Sequence, residues 1–97
     1  MPFGIASFRS RQQVFAFEAA LSRGGVRAEV VSTPREVALG CGLSVRFDLT
    51  EYPRVTDIYR RTRLNNLIGF YRVTPVNYGR PQISALPVNS QILLNLY

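Results

Sequence analysis

The 97-residue chain contains no histidine, no lysine and no tryptophan, and only one cysteine, Cys41. Each absence removes a class of chemistry. Without an imidazole, a Ser-His-Asp or Cys-His-Asn relay cannot be assembled within one chain. Without lysine there is no amine for a Schiff base. One cysteine and no histidine exclude a structural zinc site within a single chain. A lone cysteine also excludes an internal disulfide and suits a reducing compartment. No apolar run approaches the roughly 20 residues that cross a bilayer. The first residues show no basic segment followed by a long apolar one, so no signal peptide is expected. These gaps lead to the expectation of a cytoplasmic, non-enzymatic protein without membrane attachment, metal or cofactor.

What is abundant is arginine. Twelve arginines face six acids, for a net charge of +6. Such a surface favours an anionic partner, whether RNA, an acidic protein or a phosphorylated ligand. A charge of this size also suits simple solubility. The length indicates one domain with a modest core.

The apolar pattern lays out the elements. Phe3 to Phe8 reads as a short strand buried on both faces. Ser10 suits a helix cap, and Arg11 to Arg23 carries Val14, Phe17 and Leu21 at helical spacing, with Ala20 beside them. Phe15 sits at the edge of that stripe and is expected to widen the core face, while Arg11 and Glu18 face out. Gly24-Gly25 ends the helix. Val26 to Ser32 alternates as a second strand, and Leu43 to Asp48 as a third. Thr50 is expected to cap a second helix whose inner face is Val55, Ile58, Tyr59 and Thr62. Arg60, Arg61 and Arg63 suit its C-terminal end. Leu67 to Val76 reads as a long fourth strand, with Gly69 marking a bulge and Pro75 its end or an edge. The order strand-helix-strand-strand-helix-strand predicts an α+β ferredoxin-like βαββαβ two-layer sandwich. Its four-stranded antiparallel sheet carries two helices on one face and leaves the other face bare unless something covers it. Residues 1–76 form this domain. Residues 77–97 form an extension in which Gly79, Pro81 and Pro87 argue against a long element. The apolar run Ile92 to Tyr97 is expected to pack on the sheet or on a partner chain, as in a homodimer.

The stretch Thr33 to Phe47 holds the cysteine. Thr33, Pro34 and Glu36 have the grammar of a helix start: a cap, a proline at the first position, and a glutamate reaching back. Gly40-Cys41-Gly42 stops that helix after about a turn. Cys41 thus falls between two glycines at a helix-to-strand corner. Two readings stand side by side. Gly40 and Gly42 remove two side chains so that a partner reaches the sulfur, with Arg35 and Arg46 favouring the nucleophilic thiolate. Alternatively, the glycines only supply positive φ for a turn, and Cys41 is a small buried filler.

Pro34-Arg35-Glu36, followed by Cys41-Gly42-Leu43 and an alternating strand, resembles the selenium/sulfur carrier protein-like family. The resemblance runs from about Phe3 to Val76 and takes in the opening strand ending in Ser7-Phe8 and the helix carrying Glu18. It implies that Cys41 carries sulfur or selenium, as a persulfide or selenosulfide, between donor and acceptor proteins. Arg35, Gly40, Gly42 and Arg46 are then supporting residues. The chain has Ala38-Leu39-Gly40 where small hydroxyl residues precede the family's cysteine.

Two other functions compete with the carrier. One is a protein–protein or dimerisation module working through the C-terminal extension or a sheet edge. The other is an RNA-binding sheet on which Phe70, Tyr71 and Arg72 stack bases and hold phosphates. The aromatic-rich signature of RNA-recognition sheets is not present, which makes nucleic acid the weakest of the three.

Overall fold

A computed structural model describes residues 1–37 and 39–87. The chain forms β1 (Phe3–Phe8), α1 (Arg11–Arg23), β2 (Ala28–Ser32) and β3 (Leu43–Phe47). A 3-10 turn (Leu49–Glu51), α2 (Tyr52–Arg61), β4 (Leu67–Thr74) and β5 (Gln82–Ala85) follow. The fold is α+β, with one antiparallel sheet in the order β2-β3-β1-β4-β5. The sheet has five strands rather than the four expected. The fifth is four residues long and fits between Pro81 and Pro87, pairing Ile83 with Val73 at the outer side of β4. No described helix is long and apolar enough to cross a membrane. The apolar run Ile92 to Tyr97, expected to pack on the sheet or a second chain, lies outside the described residues.

Both helices lie on the same sheet face. Val14, Phe17 and Leu21 of α1 and Val55 of α2 share one cluster with Phe8, Val45, Phe47 and Phe70 from the strands. Ring edges meet ring faces there: Phe17–Tyr59, Tyr59–Phe70 and Tyr52–Phe70 centroids lie 5.9, 5.7 and 5.5 Å apart at steep angles. That geometry suits aromatic quadrupoles. Phe15 does not join the core; it stays exposed on the flank of α1.

Element ends have local causes. Ser10 accepts the Gln13 N–H and caps α1. The Val26 N–H bonds back to the Leu21 carbonyl, so Val26 closes α1 instead of opening β2, which starts at Ala28. Thr50 is not the second cap. Asp48 caps the 3-10 turn that leads into α2, accepting the Thr50 backbone N–H at 2.9 Å and its hydroxyl at 2.8 Å, and α2 itself starts at Tyr52 without a side-chain cap. Those two bonds hold the Asp48 carboxyl below its ordinary pKa. The expected irregularity near Gly69 appears as a register shift: Ser7 pairs with Gly69 and Phe8 with Leu67, leaving Ile68 as the extra residue.

The second sheet face is not bare. Ile5 and Val73 form a smaller cluster with Phe3, Val31, Tyr71 and Ile83. Val37, from the connection between β2 and β3, packs into that cluster and is itself buried. The connection is therefore a strap. It leaves the end of β2, folds back over the sheet, and returns to start β3. The Thr33 N–H bonds the Gly42 carbonyl at 2.9 Å and closes its base.

Candidate functional site

The strap is not a helix, and this corrects the expectation for Thr33, Pro34 and Glu36. Among the described residues one turn forms, closed by the Val37 N–H on the Pro34 carbonyl at 3.0 Å. Each supposed capping group has a distant partner instead. The Thr33 hydroxyl lies 2.7 Å from the Ser44 hydroxyl, which in turn lies 2.7 Å from that of Ser7. These three hydroxyls form a chain on the strap's side of the sheet, with Ser7 and Ser44 fully enclosed. Glu36 accepts two bonds from Arg80, from Nε and Nη2, each at 2.9 Å. This fork latches the strap to the connection between β4 and β5. It also holds the Glu36 carboxyl below its ordinary pKa, with the bond to Arg80 the main cause.

The strap ends at Gly40-Cys41-Gly42, beside the end of β1. The Cys41 N–H bonds the Phe8 carbonyl at 3.3 Å, and its thiol lies 3.7 Å from the Leu43 carbonyl. The side chain is half-buried, resting against the helix-side core. Both glycines adopt positive φ, 106° at Gly40 and 88° at Gly42, so the sequence reading of a left-handed corner holds for both. Their surroundings differ. A Cβ on Gly40 would stand 2.7 Å from the Phe8 carbonyl oxygen and 2.7 Å from Ile68 Cδ1, whereas a Cβ on Gly42 would meet nothing within 4 Å. The backbone beside the cysteine is thus crowded at Gly40 and uncrowded at Gly42 among the described residues. Only one of the two glycines leaves room for an incoming group.

The arginines expected to support the thiol are placed elsewhere. Arg46 points to the strap's side of the sheet, where its guanidinium stacks 3.9 Å from the centroid of the Phe3 ring and lies 3.8 Å from Glu29. Arg35 lines a shallow groove of about 530 Å³ with Phe3, Pro34, Val73 and Arg80. Neither makes a hydrogen bond or ion pair with Cys41 among the described residues. The residues proposed as an RNA platform are also split. Phe70 is buried under the helices, and Tyr71 belongs to the opposite face. They cannot form one stacking surface.

Sequence reasoning missed Phe8, Ile68 and Arg80 as parts of this region. Phe8 and Arg80 act from more than thirty residues away, and Ile68 reaches Gly40 only because of the bulge. No curated protein and no solved structure matches this chain. A family profile described as "Putative Se/S carrier protein-like" matches residues 3–68, which hold β1 through the start of β4 and the whole Cys41 corner. The chain belongs to that family.

Proposed function

We propose that the protein carries sulfur or selenium on Cys41. The observation that supports this most is the asymmetric corner within the family-matched residues: a half-buried cysteine, fixed by its own backbone bond, next to a Gly42 around which a Cβ would meet nothing among the described residues. A carrier needs little else, because its partners supply the chemistry. In the loading step the Cys41 thiolate attacks the outer sulfur of a partner's cysteine persulfide. The partner's S–S bond breaks, its cysteine leaves as a thiolate, and Cys41 becomes the persulfide. In the unloading step an acceptor nucleophile takes that outer sulfur and Cys41 leaves as the thiolate. Sulfur moves at the same oxidation level throughout, so no external oxidant enters. A selenium atom in the outer position follows the same path.

The chain need not be an enzyme for this. The fold suits a rigid carrier: the strand order of β2-β3-β1-β4 with both helices on one face supports a ferredoxin-like core to which β5 is added at the edge. Incubation of the folded protein with a cysteine desulfurase and cysteine, followed by intact mass measurement, tests the reading. The expected product gains the mass of one sulfur atom, returns to the starting mass on reduction, and does not form in Cys41→Ser. An unchanged mass under conditions in which the desulfurase is demonstrably persulfidated would overturn it.

A further inference from the structure

Three segments converge on the end of the sheet that carries Cys41. The Cys41 N–H bonds Phe8, the last residue of β1. Arg9 comes next, and its N–H bonds the Asn66 carbonyl at 3.0 Å, which ties this end of β1 to the connection between α2 and β4. Asn65 and Asn66 both donate their backbone N–H to Gln13 Oε1 at 3.1 Å, near the start of α1. These bonds gather Arg9, Arg11 and Arg63 around one end of the molecule. All three are exposed, and none has an ion-pair partner among the described residues.

The acids lie elsewhere. Glu29, Asp48 and Glu51 belong to the opposite end of the sheet. Glu36 is held by Arg80, and Asp57 by Arg60 and Arg61. Glu18, the nearest acid on α1, sits about two turns along from Arg11 on the same flank. The arginines of the Cys41 end are therefore not paired with an acid among the described residues.

Two apolar side chains border it. Leu39, two residues before Cys41, is 59% exposed, and Phe15 is 48% exposed. Phe15 is four residues from Arg11 on α1, so the two share a flank. Gln13 occupies the other flank, turned toward Asn65. Arg11 and Phe15 consequently look toward the β3–β2 side, where the Cys41 corner feeds into β3. Arginine and aromatic side chains around an apolar contact are the composition of protein interfaces.

We propose that this end of the molecule is the docking surface for an acidic protein that exchanges sulfur or selenium with Cys41. Arg9, Arg11 and Arg63 meet the partner's carboxylates, and Leu39 and Phe15 supply the apolar contact. The partner's chemistry rests on the carrier reading above; the surface itself does not. A protein is favoured over single-stranded RNA because RNA binders stack successive bases on several aromatic rings. Here Phe8 and Phe70 are buried, and among the described residues Phe15 is the aromatic ring offered at this end.

The test uses the full chain with Cys41→Ser, so that binding is read without sulfur chemistry. The probes are a glutamate-rich synthetic peptide, a neutral peptide of equal length and a single-stranded oligouridylate. Amide NMR shifts on this chain map the contact surface, and fluorescence anisotropy gives affinity. The expected map centres on Arg9, Arg11, Leu39, Gly42 and Arg63 for the acidic peptide, with no map for the neutral one. Replacing Arg9, Arg11 and Arg63 together by alanine weakens binding about tenfold, the size expected for three exposed charge contacts. Replacing Arg23, Arg27 and Arg72 by alanine removes the same charge from the other end and changes affinity by less than about twofold. A map elsewhere overturns the proposal, as does equal weakening by both triple variants. Tighter oligouridylate binding at this surface makes it a nucleic-acid site instead and also overturns it. The map does not depend on the folding of any triple variant. Sulfur loading of the unsubstituted chain is measured separately: docking without loading defeats only the carrier reading, and loading with docking elsewhere defeats only this one.

Discussion

The two faces of the sheet divide the work of the molecule. Under the helices, Phe8, Phe17, Phe47 and Phe70 interlock with aliphatic side chains, and the buried Thr56 of α2 turns its hydroxyl back to the helix's own carbonyls. Under the strap, Ile5, Val37 and Val73 share the face with three linked hydroxyls, an arginine stacked on Phe3 and a carboxylate held by Arg80. Dense apolar packing is what stabilises a small domain. The strap's side is assembled from single contacts of modest strength, and those contacts hold the segment that leads into Cys41, whose own side chain rests against the helix-side core. The difference is that the helix side carries most of the stability and seats the thiol, whereas the strap's side holds the approach to it, so the strap can be loosened at a smaller cost in stability.

Removing a ring from the helix side has the largest expected effect. Phe17→Ala costs about 3–5 kcal/mol in denaturant unfolding. Next comes Gly40→Ala. Positive φ alone costs about 1–2 kcal/mol for an alanine, and here the new methyl also collides with the Phe8 carbonyl and Ile68. Gly42→Ala has the φ penalty without the collision, so it destabilises less than Gly40→Ala while placing a methyl beside Cys41. Equal costs at the two glycines would remove the asymmetry on which the corner's description depends.

Much of this arrangement was legible in the sequence, and the parts that were not have a common physical cause. β1 and α1 were readable to the residue because their signals are local: the Ser10 cap, the Val14-Phe17-Leu21 stripe and the double glycine. The strap misled because a cap, a proline and a glutamate three residues on serve equally well in a single turn. What decides between the two is a hydroxyl on Ser44 and a guanidinium on Arg80, and no local pattern announces either. β5 escaped for a related reason: four residues with one inward isoleucine carry too little periodicity to stand out. Cys41 between its glycines was readable, whereas the engagement of Arg46 with Phe3 and Glu29 depends on strand register.

Smaller effects sharpen the contrast between the faces. Ser44→Ala leaves the enclosed Ser7 hydroxyl without its partner and costs about 1–3 kcal/mol. Val37→Ala costs about 1–2 kcal/mol from the lost methyl groups, and its main signature is faster alkylation of Cys41, because the strap loses its apolar anchor. A Val37→Ala cost as large as that of Phe17→Ala would erase the division between the faces.

The smallest effect is an acid-induced release of the strap. The Glu36 carboxyl titrates below its ordinary 4.5 in the folded protein. Its bond to Arg80 therefore contributes fully above about that pH and is lost as pH falls through the lowered folded value. The Val37 amide signal in NMR is expected to stay fixed from about pH 7 to about pH 5 and to move only below that range. Glu36→Gln abolishes the movement. A Val37 signal that titrates identically in Glu36→Gln would assign the transition to another carboxylate.

The most direct measurement for the account as a whole is the iodoacetamide alkylation rate of Cys41 in native protein relative to urea-unfolded protein at the same pH. A half-buried thiol next to an uncrowded Gly42 is expected to react natively within about tenfold of the unfolded rate, and independently of global stability. A native rate slowed by roughly a thousandfold or more, and rising only with the unfolded population, would mean that the sulfur is sealed in the fold.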